Sequence, residues 1–389
     1  MTNIFLNTTT KTLIILLAWI LTPTVLEAQM RDTITTRWKS YINLDDYNKP
    51  FWKTDTIYDE TVQPISENGN VSCKLLYKAS TILAVKSADY RVNFVRGKDW
   101  DLENGRLVIL PGSGIPITNK DDLVFKTFRA DYSMQGKVPG TYVLFTEKPF
   151  FSKLQIAVTY VKAKGEKWRG PVPHFAKNGL PNTLAKLKDK QALKVVFYGN
   201  SIEAGFNTSD HMSTPPYMPT WPEMVIYQLR KSYGPSITFV NQAVPGKLAS
   251  WGLEQVSSNV IPEKADLVII GFGMNDGAAN VPPEKFRLDI DGMIKAILNQ
   301  NPNAEFILIA PMLPNPDASQ SGIQSVYKSE LEKLVKRGVI VADMTAVHLE
   351  LLNHKTYQDM TGNNVNHPND YLARWYAQTI LGSLIKKMR

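Results

Sequence analysis

Residues 193–207 read LKVVFYGNSIEAGFN, and this stretch gives the first indication of the fold class of the C-terminal half. Its apolar, partly β-branched run at 193–198 is bounded by turn residues, which is typical of a buried strand. Gly199 and Asn200 end that strand, and Ser201 follows at once. A serine at a strand end offers an exposed hydroxyl beside free backbone N–H groups, as a nucleophile and its oxyanion site both require. Gly-Asn-Ser is also common in ordinary turns, so both interpretations stay open on this stretch alone.

The rest of the C-terminal half repeats the order of strand and then helix. Strands are predicted at residues 193–198, 237–244, 266–272, 305–312 and 338–344, and helices near residues 223–232, 253–259, 283–299, 324–336 and about 369–387. This alternation predicts a parallel sheet with helices on both faces. The active site of such a sheet lies beyond the carboxyl ends of its strands. Unusual polar and glycine residues follow the first three predicted strands, at Ser201, residues 241–246 and residues 273–276.

Residues of roughly 30–165 have the pattern of an all-β region. Strand-like runs occur at residues 72–79, 90–95, 105–110, 122–128, 141–146 and 153–161, with turn signals between them. Short strands at this spacing predict a sandwich, resembling a jelly roll. A Gly- and Pro-rich linker is predicted at residues 166–192, although Trp168 within it suggests that it packs against something. The predicted domains are therefore the β-sandwich at 30–165 and a second domain at 193–389.

Residues 1–28 are predicted to be a secretory signal peptide. Lys11 precedes the apolar run 12–26, and Ala28 offers a small residue for cleavage. An N-terminal anchor helix is the less favoured alternative, because the run is short for a membrane span and Pro23 interrupts it. We therefore expect an exported protein, periplasmic or extracellular, whose mature chain has no membrane span. Its single cysteine, Cys73, excludes an intramolecular disulfide, so stability must come from the core.

The composition is that of an ordinary globular chain, with 43% hydrophobic and 21% charged residues among 389. The net charge of +8 comes from scattered Lys and Arg residues, and the sequence has no nucleic-acid motif. We therefore expect no nucleic-acid partner, whereas weak attraction to an acidic polysaccharide or a simple solvated surface both fit. No Cys or His pair has zinc spacing, so neither a metal nor another cofactor is predicted.

Four short blocks, read together, resemble a known family. They are Gly199-Asn200-Ser201, the NQAVPG of residues 241–246, the GMND of residues 273–276, and His367-Pro368. In this order they resemble the blocks of the SGNH, or GDSL-type, hydrolases, from about Leu193 to the C-terminus. The resemblance implies esterase or deacylase activity on a flavodoxin-like, three-layer α/β/α fold. The β-rich region ahead of it is similar, more loosely, to the arrangement in some exported carbohydrate esterases.

The resemblance also implies roles for four residues. Ser201 would be the nucleophile, and its backbone N–H would give one oxyanion contact. Gly246 would supply a second N–H, and Asn275 would supply a side-chain N–H. His367 would take the serine proton and return it to the leaving alcohol. Taken singly, Gly246 is equally consistent with a turn glycine, and Asn275 with a helix N-cap.

One position departs from the family pattern. The family usually has Asp three residues before the histidine, and this chain has Asn364. An amide cannot stabilise an imidazolium ion by charge. We favour a Ser–His pair with a backbone carbonyl behind His367, and Asp359 or Asp343 as a replacement carboxylate is the alternative. Catalytic impairment is a third possibility, whereas Asp370 is expected to cap the last helix.

Aromatic residues near the predicted site suggest a sugar substrate. Tyr217, Trp221 and Trp251 are predicted to form a stacking wall for sugar rings, or alternatively to pack against the first domain. The favoured function is an exported serine esterase that removes an acyl group, acetyl before others, from a saccharide or polysaccharide. The alternatives are a lipase or thioesterase on the same fold, and a carbohydrate-binding protein with a vestigial hydrolase domain.

Overall fold

The computed structural model describes residues 32–388, so the predicted signal peptide lies outside the described residues. No helix within 32–388 is both long and apolar enough to cross a membrane. The first half contains one short helix and twelve strands: α1 (Leu44–Tyr47), β1 (Thr56–Val62), β2 (Ile65–Glu67), β3 (Asn70–Ser72), β4 (Ala79–Ser87), β5 (Asn93–Phe94), β6 (Trp100–Glu103), β7 (Arg106–Ile109), β8 (Thr118–Asn119), β9 (Val124–Phe125), β10 (Ser133–Gln135), β11 (Tyr142–Leu144) and β12 (Ile156–Lys162).

These strands form one four-stranded antiparallel sheet, in the order β1-β12-β4-β5, and three smaller sheets: β10-β11-β9, β3-β2-β8 and β6-β7. The mostly-β character of this region is confirmed. The division into four sheets does not reproduce the two four-stranded sheets of a jelly roll, so that finer prediction is not confirmed.

The strand predicted at 72–79 is largely wrong, because the chain is irregular from Cys73 to Lys78. Two of its backbone N–H groups are taken by side chains instead of by a neighbouring strand. The N–H of Leu76 donates to the Glu60 carboxylate at 2.7 Å, and that of Tyr77 donates to the Tyr160 hydroxyl at 3.2 Å. Two of the longest strands, β1 and β4, were not predicted.

The second half contains the expected alternation: α2 (Pro181–Lys188), β13 (Leu193–Gly199), α3 (Trp221–Tyr233), β14 (Ile237–Asn241), α4 (Ala249–Asn259), β15 (Leu267–Gly271), α5 (Met274–Ala278), α6 (Pro283–Gln300), β16 (Glu305–Ala310), α7 (Tyr327–Glu332), β17 (Val339–Asp343), α8 (Met344–His354) and α9 (Asp370–Leu384). The five strands are parallel, in the order β14-β13-β15-β16-β17. This is the flavodoxin-like order 2-1-3-4-5.

Helices cover both faces of this sheet. Along β13, Val195 and Phe197 pack into one apolar cluster with α3 and α9, whereas Val196 and Tyr198 pack into another with α4 and α6. Successive strand side chains point to opposite faces, so an unbroken apolar run is what a strand buried on both sides needs. The five predicted strands are therefore confirmed, whereas the helix predicted at 324–336 is shorter, and α2, α5 and α8 were not predicted.

Buried polar contacts fasten the β-rich region to the α/β region. Lys355 Nζ lies 2.5 Å from the Glu60 carboxylate, and both side chains are fully buried. The buried Arg374 guanidinium donates to the carbonyls of Tyr47 and Tyr58. The predicted linker itself contains α2, and Trp168 packs near a ring of α9. The domain boundaries stay a prediction, but the two regions share one core cluster.

Candidate active site

The turn after β13 places Ser201 at the carboxyl edge of the sheet. The Asn200 side chain accepts from the N–H of Ile202 at 3.0 Å and donates to the carbonyl of Gly271, at the end of β15, at 3.3 Å. A Cβ on Gly199 would lie 2.4 Å from the same carbonyl oxygen, so only glycine fits there. The turn is therefore locked against the neighbouring strand end, which fixes the position of Ser201.

Hydrogen bonds join the turns that carry the predicted oxyanion donors. The N–H of Val244 donates to the Gly199 carbonyl at 3.0 Å, and Asn275 Nδ2 donates to the carbonyl of Lys247 at 3.1 Å. Gly246 has a φ of +76°, and the space where its Cβ would stand is open. The structure thus brings Gly246 and Asn275 together at the sheet edge that holds Ser201.

Asn275 does not cap a helix. The N-terminus of α5 is formed by Gly273, which has a φ of +116°. The carboxylate of Asp276 accepts the Gly273 N–H at 3.0 Å and, with its other oxygen, the N–H of Ala249 at 2.9 Å. Asp276 therefore caps the N-terminus of α5, and the side chain of Asn275 does not.

Ser201 and His367 are in direct contact. Ser201 Oγ lies 2.8 Å from His367 Nε2, and both residues are at least nine-tenths buried. The backbone N–H of His367 donates to Asn363 Oδ1 at 3.1 Å, and the ring of Phe206 meets the imidazole edge-on at 5.8 Å. The histidine is thus held on its backbone side and on one face of its ring.

Three side chains surround the other ring nitrogen, Nδ1. They are Asn207 Oδ1 at 2.5 Å, Asn363 Nδ2 at 3.0 Å and Glu147 Oε2 at 3.4 Å. The orientation of the Asn363 amide is fixed, because its Oδ1 accepts three backbone N–H groups, those of residues 365–367. Its Nδ2 then has Asn366 Oδ1 and Glu147 Oε1 as acceptors, at 3.0 and 3.2 Å.

The tautomer of His367 follows from these contacts. Because Asn363 Nδ2 has two other acceptors, Nδ1 is best satisfied when it carries the hydrogen and donates it to Asn207 Oδ1. Nε2 is then unprotonated and accepts the Ser201 hydroxyl. This is the protonation pattern that a general base for serine requires.

Glu147 reaches this site from the β-rich region, just beyond β11. Its side chain is 47% exposed, whereas that of His367 is 6% exposed. Partial burial acts to raise the pKa of Glu147, but the hydrogen bond and charge attraction from His367 outweigh it and leave that pKa below its ordinary value. The carboxylate is therefore ionised at neutral pH.

The part of the chain that carries these residues matches a known family. Residues 197–374 match the family model of the GDSL-like Lipase/Acylhydrolase family. This segment is a GDSL-like lipase/acylhydrolase domain. The family predicted from the four sequence blocks is thereby confirmed.

The individual proteins to which this chain is similar share little sequence identity with it. The chain is 26% identical over 116 residues to an arylesterase of Vibrio mimicus, a match that covers 30% of this chain and 54% of that protein. The chain thus spans about half the length of the curated relative. One similar solved structure is a two-domain esterase active on acetylated mannans, with 19% identity and a TM-score of 0.45 over 56% of this chain and 55% of that chain. Another is a catalytic mutant of Axe2, an acetylxylan esterase from Geobacillus stearothermophilus, with 18% identity and a TM-score of 0.40 over 50% of this chain and 96% of that chain.

Asn364 does not face the histidine ring of the GDSL-like domain. It is fully buried with a φ of +63°, and its Nδ2 donates to the carbonyl of Leu144 in β11 at 2.9 Å. Its Oδ1 accepts from Gln358 Nε2 at 3.0 Å. The residue is an anchor between the two regions, and it does not influence the tautomer of His367 directly.

The two carboxylate alternatives expected from the sequence, Asp359 and Asp343, are wrong, as is the backbone carbonyl. Asp359 accepts the backbone N–H groups of Gln63 and Thr356, and Asp343 caps α8. The expectation that Asp370 caps the last helix is also wrong, because Asn369 caps α9. Asp370 instead accepts the N–H of Ser209 at 2.8 Å, and burial raises its pKa to about 6. The partners of His367 Nδ1 are side chains, and of these Asn363 lies on the histidine's own loop.

The prediction of a stacking wall fails for one of its three aromatic residues. Trp221 is fully buried and donates to the Ile202 carbonyl at 2.9 Å, so its prediction as a sugar contact is wrong. Tyr217 packs against Tyr41 at 5.5 Å, with the Arg37 guanidinium 4.7 Å from its ring centre. Trp251 lies partly exposed on α4, 5.3 Å from Lys247 Nζ, and its role and that of Tyr217 stay predictions.

The sequence analysis missed Glu147, Asn207 and Asn363. Asn207 follows the nucleophile turn within a polar run, which was a weak signal for a residue at the site. The sequence around Glu147 contains no such signal, because nothing near residue 147 indicates a contact with the C-terminal histidine. Within residues 32–388, no group of three or more His, Cys, Asp and Glu side chains could hold a metal ion.

Proposed function

We propose that the protein is an exported serine esterase that removes a short acyl group, acetyl before others, from a carbohydrate. The observation that carries this proposal is the 2.8 Å contact between Ser201 Oγ and His367 Nε2, with Nδ1 placed to donate to Asn207. The membership of residues 197–374 in an acylhydrolase family supports it. The signal peptide predicted at residues 1–28 supports export.

The residues present account for each step of ester hydrolysis. Ser201 Oγ attacks the ester carbonyl carbon while His367 Nε2 takes its proton. The negative charge on the carbonyl oxygen is met by the N–H groups of Ser201 and Gly246 and by Asn275 Nδ2. The C–O bond to the sugar then breaks, and the sugar oxygen takes the proton from His367.

The second half of the reaction repeats the first with water. His367 Nε2 removes a proton from a water molecule, whose oxygen attacks the acyl carbon of the acyl-Ser201 ester. The same donors stabilise the second tetrahedral intermediate. Its collapse breaks the bond to Ser201 Oγ, which regains a proton from His367 and releases the carboxylic acid.

The surroundings of the catalytic pair favour a hydroxyl-rich substrate. Four amide side chains lie near His367: Asn207 and Asn363 contact Nδ1, Asn366 accepts from Asn363, and Gln320 accepts from Asn366. Amides donate to and accept from hydroxyl groups, whereas a long acyl chain requires an apolar lining. A lipase or thioesterase is therefore less well supported. The intact contact of Ser201 with His367 counts against a vestigial hydrolase domain.

The test is hydrolysis of 4-nitrophenyl acetate by the mature chain and by Ser201→Ala. We expect this variant to lose almost all turnover while keeping the fold, and Ser257→Ala, an exposed serine on α4, to match the wild type. A serine-directed organophosphate should label Ser201 alone by peptide mass. Wild-type turnover in Ser201→Ala would reject the serine mechanism, and failure to release acetate from any acetylated polysaccharide would reject the proposed substrate class.

A further inference from the structure

We propose that Glu147, which the β-rich region supplies, is the acid that stabilises the charged form of His367 during catalysis. It would take the place of the aspartate that the GDSL-type pattern has at position 364. This inference rests on the proposed function, because it concerns the same histidine. It makes the β-rich region part of the catalytic machinery and not only a neighbour of it.

The position of the carboxylate supports this role. Glu147 Oε2 lies 3.4 Å from Nδ1, and its other oxygen, Oε1, accepts from Asn363 Nδ2 at 3.2 Å. Within residues 32–388, Glu147 is the acidic residue that comes within ionic distance of the His367 ring. Of the two carboxylates that the sequence offered instead, Asp359 accepts the N–H groups of Gln63 and Thr356, and Asp343 caps α8.

Asn207 and Glu147 each take one of the two roles that a single aspartate has in a Ser-His-Asp triad, which are to orient the ring and to stabilise its charged form. Asn207 Oδ1 is the nearer acceptor and holds the ring in the tautomer that leaves Nε2 unprotonated. An amide is neutral, however, and gives little stabilisation when Nε2 takes the serine proton and the ring becomes positively charged. The negative charge beside Nδ1 comes from Glu147.

Other charged groups near the ring do not supply this charge. His211, on the loop after the nucleophile, stacks on Phe206 at 4.2 Å, and any positive charge on it would oppose the imidazolium. Lys148 follows Glu147 directly but turns its ammonium group to Asp131, 2.9 Å away. The carboxylate of Glu147 therefore faces the imidazole without a lysine between them.

The segment that carries Glu147 is fixed to the GDSL-like domain. The β10–β11 hairpin makes a bridge between Gly136 and Ala318, and the N–H of Lys137 donates to the Asp317 carbonyl at 2.7 Å. At the end of β11, the carbonyl of Leu144 accepts from Asn364 Nδ2. The amide at the family's aspartate position thus holds the strand that leads to the substitute carboxylate.

The experiment compares Glu147→Gln with Glu103→Gln. Glutamine keeps the length of Glu147 and an acceptor for Asn363, and Glu103→Gln makes the same change at the exposed end of β6 in the same region. With 4-nitrophenyl acetate we expect Glu147→Gln to lower kcat about tenfold, with KM changed by less than about twofold, since a stabilisation of the imidazolium equivalent to one pKa unit corresponds to about tenfold in rate. Glu103→Gln should retain the wild-type kcat.

The pH profile separates a charge effect from a packing effect. Without the carboxylate the protonated ring is less stable, so the acidic limb of kcat/KM should move to lower pH by about 0.5–1 unit in Glu147→Gln. In Glu147→Asp the acidic limb of kcat/KM should lie closer to that of the wild type. A packing defect would lower kcat without moving the limb.

Each outcome decides between the proposals. Wild-type kcat together with an unmoved acidic limb in Glu147→Gln would overturn this inference, as would equal losses in Glu147→Gln and Glu103→Gln. Ser201→Ala is measured in parallel. If Ser201→Ala remains active, the proposed function itself fails; if it is inactive and Glu147→Gln behaves as the wild type, only the role of Glu147 is rejected.

Discussion

The side-chain amide of Asn364 donates a hydrogen bond to the carbonyl of Leu144 across 2.9 Å. Its oxygen accepts from Gln358 Nε2 at 3.0 Å and from Asn315 Nδ2 at 3.2 Å, so both ends of the buried amide are used. The φ of +63° suits asparagine, one of the few residues that adopt the left-handed region readily. Position 364 therefore joins the two regions of the protein and is not an orphaned catalytic position.

Restoring the family's residue with Asn364→Asp should therefore destabilise the protein and leave turnover no higher. A carboxylate oxygen would face the Leu144 carbonyl, where two acceptors repel and a buried charge lacks a partner. We expect the free energy of unfolding in urea to fall by ~1–3 kcal/mol. Asn68→Asp, at an exposed turn with a φ of +50°, should change little. A stable Asn364→Asp variant with raised kcat would show that the amide is a handicap at this site.

The oxyanion role of Asn275 is tested by Asn275→Ala. One hydrogen of its Nδ2 is used by the Lys247 carbonyl, which leaves the second for a substrate oxygen. We expect kcat to fall by ~10²–10³ with little change in KM, because the contact strengthens only in the transition state. Asn280→Ala, exposed just beyond α5, serves as the control. An increase in KM with kcat unchanged would make Asn275 a substrate-binding residue instead.

The buried pair of Lys355 and Glu60 should contribute strongly to the attachment of the β-rich region. Lys355→Met leaves the Glu60 charge buried without its ammonium partner, and we expect the free energy of unfolding to fall by ~3–5 kcal/mol. Adding Glu60→Gln should recover part of the loss, since the carboxylate that lacks a partner is then removed. Lys120→Met breaks an exposed pair with Glu67 and should change stability little. Equal effects of the two lysine changes would contradict this account.

Glu203 should make stability depend on pH. It is fully buried beneath the nucleophile turn, where it accepts the N–H of Asn200 at 3.0 Å, and burial raises its pKa to about 8. In the unfolded chain the glutamate pKa is about 4.3. Between these two values the unfolded state loses the proton while the folded state keeps it, so stability falls as the pH rises through this window and levels off above it.

Glu203→Gln removes this proton linkage. The free energy of unfolding of the variant minus that of the wild type should increase by on the order of 2–4 kcal/mol from about pH 5 to about pH 8. Urea denaturation of both proteins at each pH measures this difference. Glu254→Gln, an exposed position on α4, should run parallel to the wild type. Parallel curves for Glu203→Gln as well would show that Glu203 is already ionised in the folded protein.

The α/β order and the sheet edge at which the chemistry lies follow from local sequence patterns. Unbroken apolar runs such as 193–198 mark strands buried on both faces, and this pattern is local. Because parallel strands end at one edge, the residues that follow them meet there whatever the details of packing. Ser201, Gly246 and Asn275 could therefore be placed together, and the family blocks added His367. The short, irregular strands of the β-rich region carry no comparable local signal, and β1 and β4 were missed.

The side chains that contact His367 Nδ1, and the accessibility of the aromatic rings, depend on tertiary packing and not on local sequence. The partners of Nδ1 come from the nucleophile loop, the histidine loop and the β-rich region, and no local pattern encodes a contact between Glu147 and a residue so distant in the chain. Trp221 carries the same sequence signal whether it faces a sugar or the core, and the packing of α3 against the sheet buried it. Such contacts depend on how two separately patterned regions dock, and buried pairs such as Lys355 and Glu60 are part of that docking.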